Sequence, residues 1–324
     1  MTRNVYHGVD AEFAQIAAAT NFGQLLNTVA ATFVGYQKRN FPERAEALAD
    51  EIEATQPDLI GLQEAVLVRT QFPADGPATP APTVAFDYVQ ILLDALAARG
   101  LQYAPIAESI GFDAELPSVF GFDVRHTDRE VILARTDLKT SDLKLSNVQT
   151  GHFVTNCVIP AGTGPIQILR GWASVDTKIR GKTFRFVSTH LDGDCSPFFP
   201  AIQVAQVNEL LQGPGNTDLP LVFVGDFNSN ADGSSTPTYG NLIAAGFADV
   251  WNIAGSGSGF TCCQAEDWLN PISSLSSRID LVLFRGDFTV ADVDVVGADP
   301  SDRTPSGLWP SDHAGVVATL QFRC

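Results

Sequence analysis

The chain has 324 residues, 45% hydrophobic and 18% charged, which allows a substantial core and argues against global disorder. Its 20 Lys and Arg are outnumbered by 37 Asp and Glu, giving a formal net charge of −17. That balance disfavours sequence-independent gripping of nucleic acid, where many cations neutralise phosphates. It leaves a polyanionic substrate open, because divalent cations on carboxylates reverse the local field.

In chain order, residues 2–6 read as a first strand and the Ala-rich residues 11–33 as a helix. Pro42 sits where a helix start favours it, and Ala45, Leu48, Ala49 and Ile52 follow at helical spacing. Pro57 and Asp58 stop that helix, and DLIGLQEA reads as a short strand. FPADGPATPAPT, residues 72–83, is a Pro- and Gly-dense exposed loop. Residues 86–99 form an amphipathic helix ended by Gly100. EVILAR, ILRGWASVDTK and KTFRFVSTHL are strands rich in β-branched and aromatic residues. Residues 200–212 read as helix, LPLVFVGDFN as strand, residues 238–245 as helix, and RIDLVLFR and AGVVATLQF as the last strands. GSGSG, residues 255–259, is a flexible loop. These elements suit one α/β (α+β) domain over residues 1–324, with a two-layered β core covered by helices.

Several strands end in polar groups. LIGLQE ends in Glu64, FRFVSTHL carries His190, LVFVGDFN ends in Asp226 and Asn228, and RIDLVLF begins beside Asp280. Asp312 and His313 precede the last strand, and Asn4 lies in the first. Each alone has an ordinary reading as a turn, cap or rim residue. Together they meet at one rim of a sheet, and burying so many acids without a counter-charge is costly. A bound hard cation, Mg²⁺ or alternatively Mn²⁺ or Ca²⁺, resolves the cost, since carboxylate and amide oxygens suit it. Two His beside such a site can hold or move protons near neutral pH. These parts suit phosphoric ester hydrolysis by metal-activated water.

The ordered series NVYHG, LQE, DRE, STHL, GDFNSN, RIDLVL and SDHA resembles the endonuclease/exonuclease/phosphatase superfamily, which includes pancreatic-type deoxyribonucleases, apurinic-site endonucleases, neutral sphingomyelinases and inositol-polyphosphate phosphatases. The resemblance spans nearly the whole chain. It implies a four-layered α/β sandwich, two central, mostly antiparallel sheets flanked by helices. By it, Glu64 is the principal metal ligand, with Asn4 and Asp312 assisting and Asp226 orienting water or binding a second metal. Asn228, His190 and Arg170 of ILRGWASV face the phosphate, and His313 is base or phosphate ligand. Asp280 is expected to hold His190 in its tautomer, as an acid does in other hydrolases. Glu130 of DRE is expected to orient His313.

The expected activity is a phosphodiesterase, with nuclease, sphingomyelinase-like and phosphomonoesterase activities as alternatives. The substrate is a small organic phosphodiester, a lipid head group or nucleic acid, with no stable nucleic-acid partner. Trp309 and Phe198–Phe199 offer an apolar rim near the site, or simply packing. A binding protein that had lost catalysis would lack some of these acids or a His, and a calcium-stabilised module would gather its acids in one loop. No G-x-S-x-G elbow supports another hydrolase class. No apolar run approaches the length of a membrane-spanning helix, and the start MTRNVYHG shows no apolar leader. Few Lys and one Met suit a secreted or periplasmic monomer whose leader has been removed, with a cytoplasmic location left open. Cys157, Cys195, Cys262, Cys263 and Cys324 match no zinc spacing; two disulfides with one free thiol and five free thiols both stand. Adjacent Cys262 and Cys263 are poorly placed to bond each other.

Overall fold

A computed structural model describes residues 1–161, 164–193 and 195–323. The chain begins with β1 (Thr2–Asn4), α1 (Asp10–Ala18), α2 (Phe22–Lys38), α3 (Phe41–Thr55), β2 (Leu59–Gln63), β3 (Leu67–Gln71), β4 (Thr83–Asp87) and α4 (Tyr88–Ala98). The middle holds β5 (Tyr103–Pro117), β6 (Asp123–Arg135), β7 (Leu143–His152), β8 (Cys157–Ile159), β9 (Ile166–Ile168), β10 (Gly171–Ile179), β11 (Lys182–His190) and α5 (Phe199–Gln212). It closes with β12 (Leu221–Asp226), α6 (Thr238–Ala244), β13 (Ala248–Asp249), α7 (Val250–Ala254), β14 (Asp280–Arg285), β15 (Phe288–Val296) and β16 (Gly315–Phe322).

Two mixed, mostly antiparallel sheets form the centre. One runs β15-β16-β1-β2-β6-β3-β4, with β5 also on β6; the other runs β13-β14-β12-β11-β10-β7. Strand alternation builds four layers from them. On β12, Val222 and Val224 face the first sheet, meeting Ile132 and Ala134 of β6. Leu221 and Phe223 of the same strand face outward to Val207 and Leu210 of α5 and Leu242 of α6. The first sheet's outer face, with Ile60 and Leu62 of β2, packs on Val29 of α2, Leu48 and Ile52 of α3 and Leu92 of α4. The expected sandwich is the one observed.

The sheets meet closely at Gly61, where a Cβ would lie 2.5 Å from Ser188 Oγ. Gly225, just before Asp226, has φ +152° and its missing Cβ would strike the Thr189 carbonyl. Only glycine fits there without strain.

Some local expectations change. Residues 11–33 form two helices, because Asn21 breaks the run and caps α2 by accepting from Gln24 N at 2.9 Å. Within the loop and helix expected at residues 72–99, β4 intervenes, and Asp87 caps α4 from the Val89 and Gln90 amides. The strands β5 and β7 lacked a sequence signal, since YAPIAESIGFDAELP carries Pro, Gly and acids and LKLSNVQTGH is mostly exposed. A disulfide joins Cys157 to Cys195, one of the pairings left open by the cysteine count, and Cys262 and Cys263 lie side by side near His313. Cys324 lies outside the described residues.

Candidate active site

The register of the strands gathers the polar groups. In β11, β12 and β14, His190 stands opposite Asp226 and Asp226 opposite Asp280, so three chemically active residues form one row across the sheet. In the other sheet Asn4 pairs with Gln63, which sets Glu64 at the same end. Glu64 and Asn228 both have left-handed backbones, φ +57° and +47°, where each strand turns away from its sheet. Such strained residues cluster at functional sites.

Asp226 is the meeting point, fully buried. Its Oδ2 accepts from Asn4 Nδ2 at 3.2 Å, and lies 3.5 Å from His190 Nε2 and 3.8 Å from His313 Nε2. Its Oδ1 accepts from the Asn228 amide at 2.9 Å. Asn4 Nδ2 also donates to Glu64 Oε1 at 3.0 Å, so one side chain bridges the two sheets. Burial, then the neighbouring Asp280, raises the Asp226 carboxyl to about 7. Burial likewise raises Asp312 to about 7, with Glu64 adding to it and His313 opposing.

His313 Nδ1 lies 2.8 Å from Asp280 Oδ2. Burial favours its neutral form, but Asp280, Asp312 and Asp226 outweigh this and push its pKa well up. His190 is the opposite case. Its Nδ1 is 3.4 Å from Glu130 Oε1 and 2.9 Å from Arg170 Nη1. Burial, then Arg170 and His313, holds His190 well below the ordinary imidazole value. Guanidinium only donates, so Nδ1 accepts from it and the neutral ring carries its proton on Nε2, which lies 3.2 Å from Asn228 Nδ2 and 3.5 Å from Asp226 Oδ2. Arg170 in turn pairs with Asp128 Oδ2 at 3.2 Å and approaches Asp192 Oδ1 at 3.8 Å.

The sequence profile of the Endonuclease/Exonuclease/phosphatase family matches residues 4–313, from the first of these site residues to the last. The chain belongs to that family. The family's members are metal-dependent phosphoester hydrolases. Solved structures of similar fold include an endonuclease/exonuclease/phosphatase family protein from Leptotrichia buccalis, at TM-score 0.59 and 17% identity over 99% of this chain and 98% of that one. A mannosyl-6-phosphatase from Bacteroides thetaiotaomicron aligns at TM-score 0.58 and 15% identity, covering 99% and 98%. D. rerio TDP2 complexed with a single-strand DNA product aligns at 0.56 and 19%, covering 99% and 97%. No curated protein sequence matches the chain significantly.

The structure of this endonuclease/exonuclease/phosphatase family chain corrects two expected pairings. Asp280 contacts His313, not His190, because β14 places it beside the segment entering β16. Glu130 contacts His190, not His313, because it projects from the middle of β6. Arg170 lies against His190. Trp309 is fully buried beside Tyr6, Trp268 and Leu308 and packs rather than lining a rim, while Phe198 at the entry to α5 is exposed.

Family members hold a divalent metal, and the residues here fit one. Asp226, Asp280 and His313 offer ligand atoms within 4.8 Å of one another. Glu64, Asp226, Asp280 and Asp312 have only imidazoles as ion-pair partners among the described residues. Asp280 Oδ1 has no hydrogen-bond partner despite its burial. The four carboxylates Glu64, Asp226, Asp280 and Asp312 make this an oxygen-rich, anionic set, which suits a hard cation.

Sequence reading missed Asp128, Asp192 and His7. The signal was there in spacing. Asp128 lies two before Glu130 within β6, so strand alternation gives that pair a common face, and Asp192 follows His190 by two just past the end of β11. His7 follows Asn4 by three and its Nε2 lies 3.5 Å from Glu64 and 3.1 Å from Asp10.

Proposed function

We propose that the protein is a divalent-metal-dependent phosphodiesterase that cleaves a phosphoric ester by in-line attack of water at phosphorus. The observation that carries this reading is Asp226, whose carboxylate touches Asn4 and Asn228 and faces both histidines. Glu64 with Asn4, Asp312 and Asp226 would hold Mg²⁺, or alternatively Mn²⁺ or Ca²⁺, which would supply Lewis-acid stabilisation of the phosphate charge. Asp226 orients the attacking water and accepts its proton. His313, kept protonated by Asp280, donates to a phosphate oxygen. Asn228 and Arg170 donate to the others, so the developing charge meets fixed donors. His190 presents its Nε2–H to the leaving oxygen, and Glu130 and Arg170 fix the ring from behind. No side-chain nucleophile is required, so the configuration at phosphorus inverts.

A small organic phosphodiester fits better than nucleic acid, given a net charge of −17. The Cys157–Cys195 disulfide supports an exported protein. The test is hydrolysis of bis(p-nitrophenyl) phosphate, p-nitrophenyl phosphate, plasmid DNA and sphingomyelin, each with Mg²⁺, Mn²⁺, Ca²⁺ or chelator. Diester cleavage abolished by chelator is expected, with Asp226→Ala and His190→Ala down by about 10²–10⁴-fold. Turnover that survives chelation sinks the proposal.

A further inference from the structure

An apolar cavity of about 680 Å³ opens directly beside the site just described. That volume lies within the range of small-molecule sites. Its polar end holds His7, Asp10, Asp128, Arg170 and Asp192. Its other walls are almost wholly apolar. They comprise Phe13, Ile16 and Ala17 of α1, Leu25 and Val29 of α2, and Ile159, Ile166 and Ile168 of the β8–β9 hairpin.

The floor links the two ends. Along β6, Val124, His126, Asp128 and Glu130 alternate onto one face, covering roughly 20 Å at the usual strand rise. Glu130 is beside His190, Asp128 beside Arg170, and Val124 at the apolar limit. Phe112, Ala114 and Leu116 of β5 continue that face. The polarity therefore falls steadily with distance from the phosphate groups. Arg170 is the only Lys or Arg among the described lining residues. His126 adds no charge, since burial and then His7 hold it well below its ordinary value, and its Nδ1 bonds the Tyr36 hydroxyl at 2.6 Å.

The roof is the second observation. Helix α1 buries none of its nine residues, although Phe13, Ile16 and Ala17 line the cavity. Phe13 and Ile16 pack in part against the core, and Phe13 against His126 and Phe112, but their remaining apolar surface and Ala17 face the open cavity, where a ligand completes the contact.

We propose that this cavity holds a single aliphatic chain esterified to the phosphate, so that the substrate is an amphiphilic phosphoric ester. The proposal rests on the phosphodiesterase reading above. The chain lies between α1 and β5, and the phosphate sits among Arg170, Asn228 and the histidines. Ester bond cleavage is the hydrolysis already described, one water consumed and one alcohol released.

The experiment measures kcat/KM for methyl, butyl and octyl p-nitrophenyl phosphate with Mg²⁺, each below its critical micelle concentration. Wild type should gain about two- to fourfold per added methylene. Ala17→Trp and Ala114→Trp fill the cavity from opposite walls and should bring the octyl-to-methyl ratio close to one. Circular dichroism checks that both variants fold. Equal rates for all three esters overturn the cavity assignment while leaving the hydrolase standing. If no ester is cleaved under any metal, the hydrolase reading falls. Calorimetry of decyl against methyl phosphonate then decides the cavity, with tighter decyl binding supporting it and equal binding overturning it.

Discussion

His313 Nδ1 lies 2.8 Å from Asp280 Oδ2, and this contact splits the site into two histidine systems in different protonation states. His313 is held as a cation by Asp280, while His190, between Glu130 and Arg170, is held neutral. Both rings reach Asp226, with the Nε2 atoms of His313 and His190 3.8 and 3.5 Å from its Oδ2. One ring can stabilise phosphate charge while the other presents a proton to the leaving oxygen.

These pairings predict a pattern of non-additivity. Glu130→Ala should cost little further rate in a His190→Ala background but multiply the loss in a His313→Ala background. Asp280→Asn should show the reverse dependence. Residues acting as a unit give such cycles. Steady-state kcat/KM on a p-nitrophenyl diester measures them, and coupling of Asp280 to His190 would contradict the geometry.

Metal should stabilise the fold, most strongly at higher pH. The Asp226 carboxyl is raised from 3.8 to about 7, so the metal-free fold binds more protons than the unfolded chain across that interval. The contribution of this group to stability therefore falls as pH rises from about 4 to 7. A cation at 100 times its Kd adds about 2.7 kcal/mol. Thermal denaturation should show a Tm rise with Mg²⁺ or Mn²⁺ that is larger at pH 8 than at pH 5, and a smaller rise in Glu64→Gln. A Tm indifferent to metal at both pH values would count against the site.

Away from the site, Asp176 and Arg185 form a two-pronged pair at 2.7 and 3.2 Å, joined by Asn147 Nδ2 at 2.8 Å. Burial would raise the Asp176 carboxyl, but these bonds outweigh it and hold it below 3.8. The contribution is present above the unfolded value and lost as pH falls through the folded one. Asp176→Asn should cost about 1–3 kcal/mol in urea unfolding at pH 7. The difference from wild type should shrink below about pH 4.

Gly225→Ala tests the strand that delivers Asp226. The added methyl meets the Thr189 carbonyl of β11 and the backbone at φ +152° disfavours any side chain. A loss of about 1–3 kcal/mol is expected. Activity should fall as well, because β11 and β12 carry His190 and Asp226 in register. Unchanged stability would show that the strand relaxes freely.

The sequence by itself determined the layered α/β architecture and pointed to the polar groups gathered round Asp226, though not to Asp128, Asp192 or His7. Apolar runs such as LVFVGDF specify two-faced strands, and a polar residue after each run marks a rim where acids from distant segments collect. Those features are local and periodic, so they survive in one dimension. Partnership is not local. Glu130 meets His190 and Asp280 meets His313 only because β6 crosses beneath β11, and β14 lies beside the entry to β16. The apolar cavity is likewise tertiary. The run of residues 11–33 reads as one Ala-rich helix, and only packing shows that its first part forms α1 over a space lined from β5, β6 and a hairpin. Strand order and the angle at which a helix crosses an open face decide what such a cavity admits, and no periodicity along the chain encodes either.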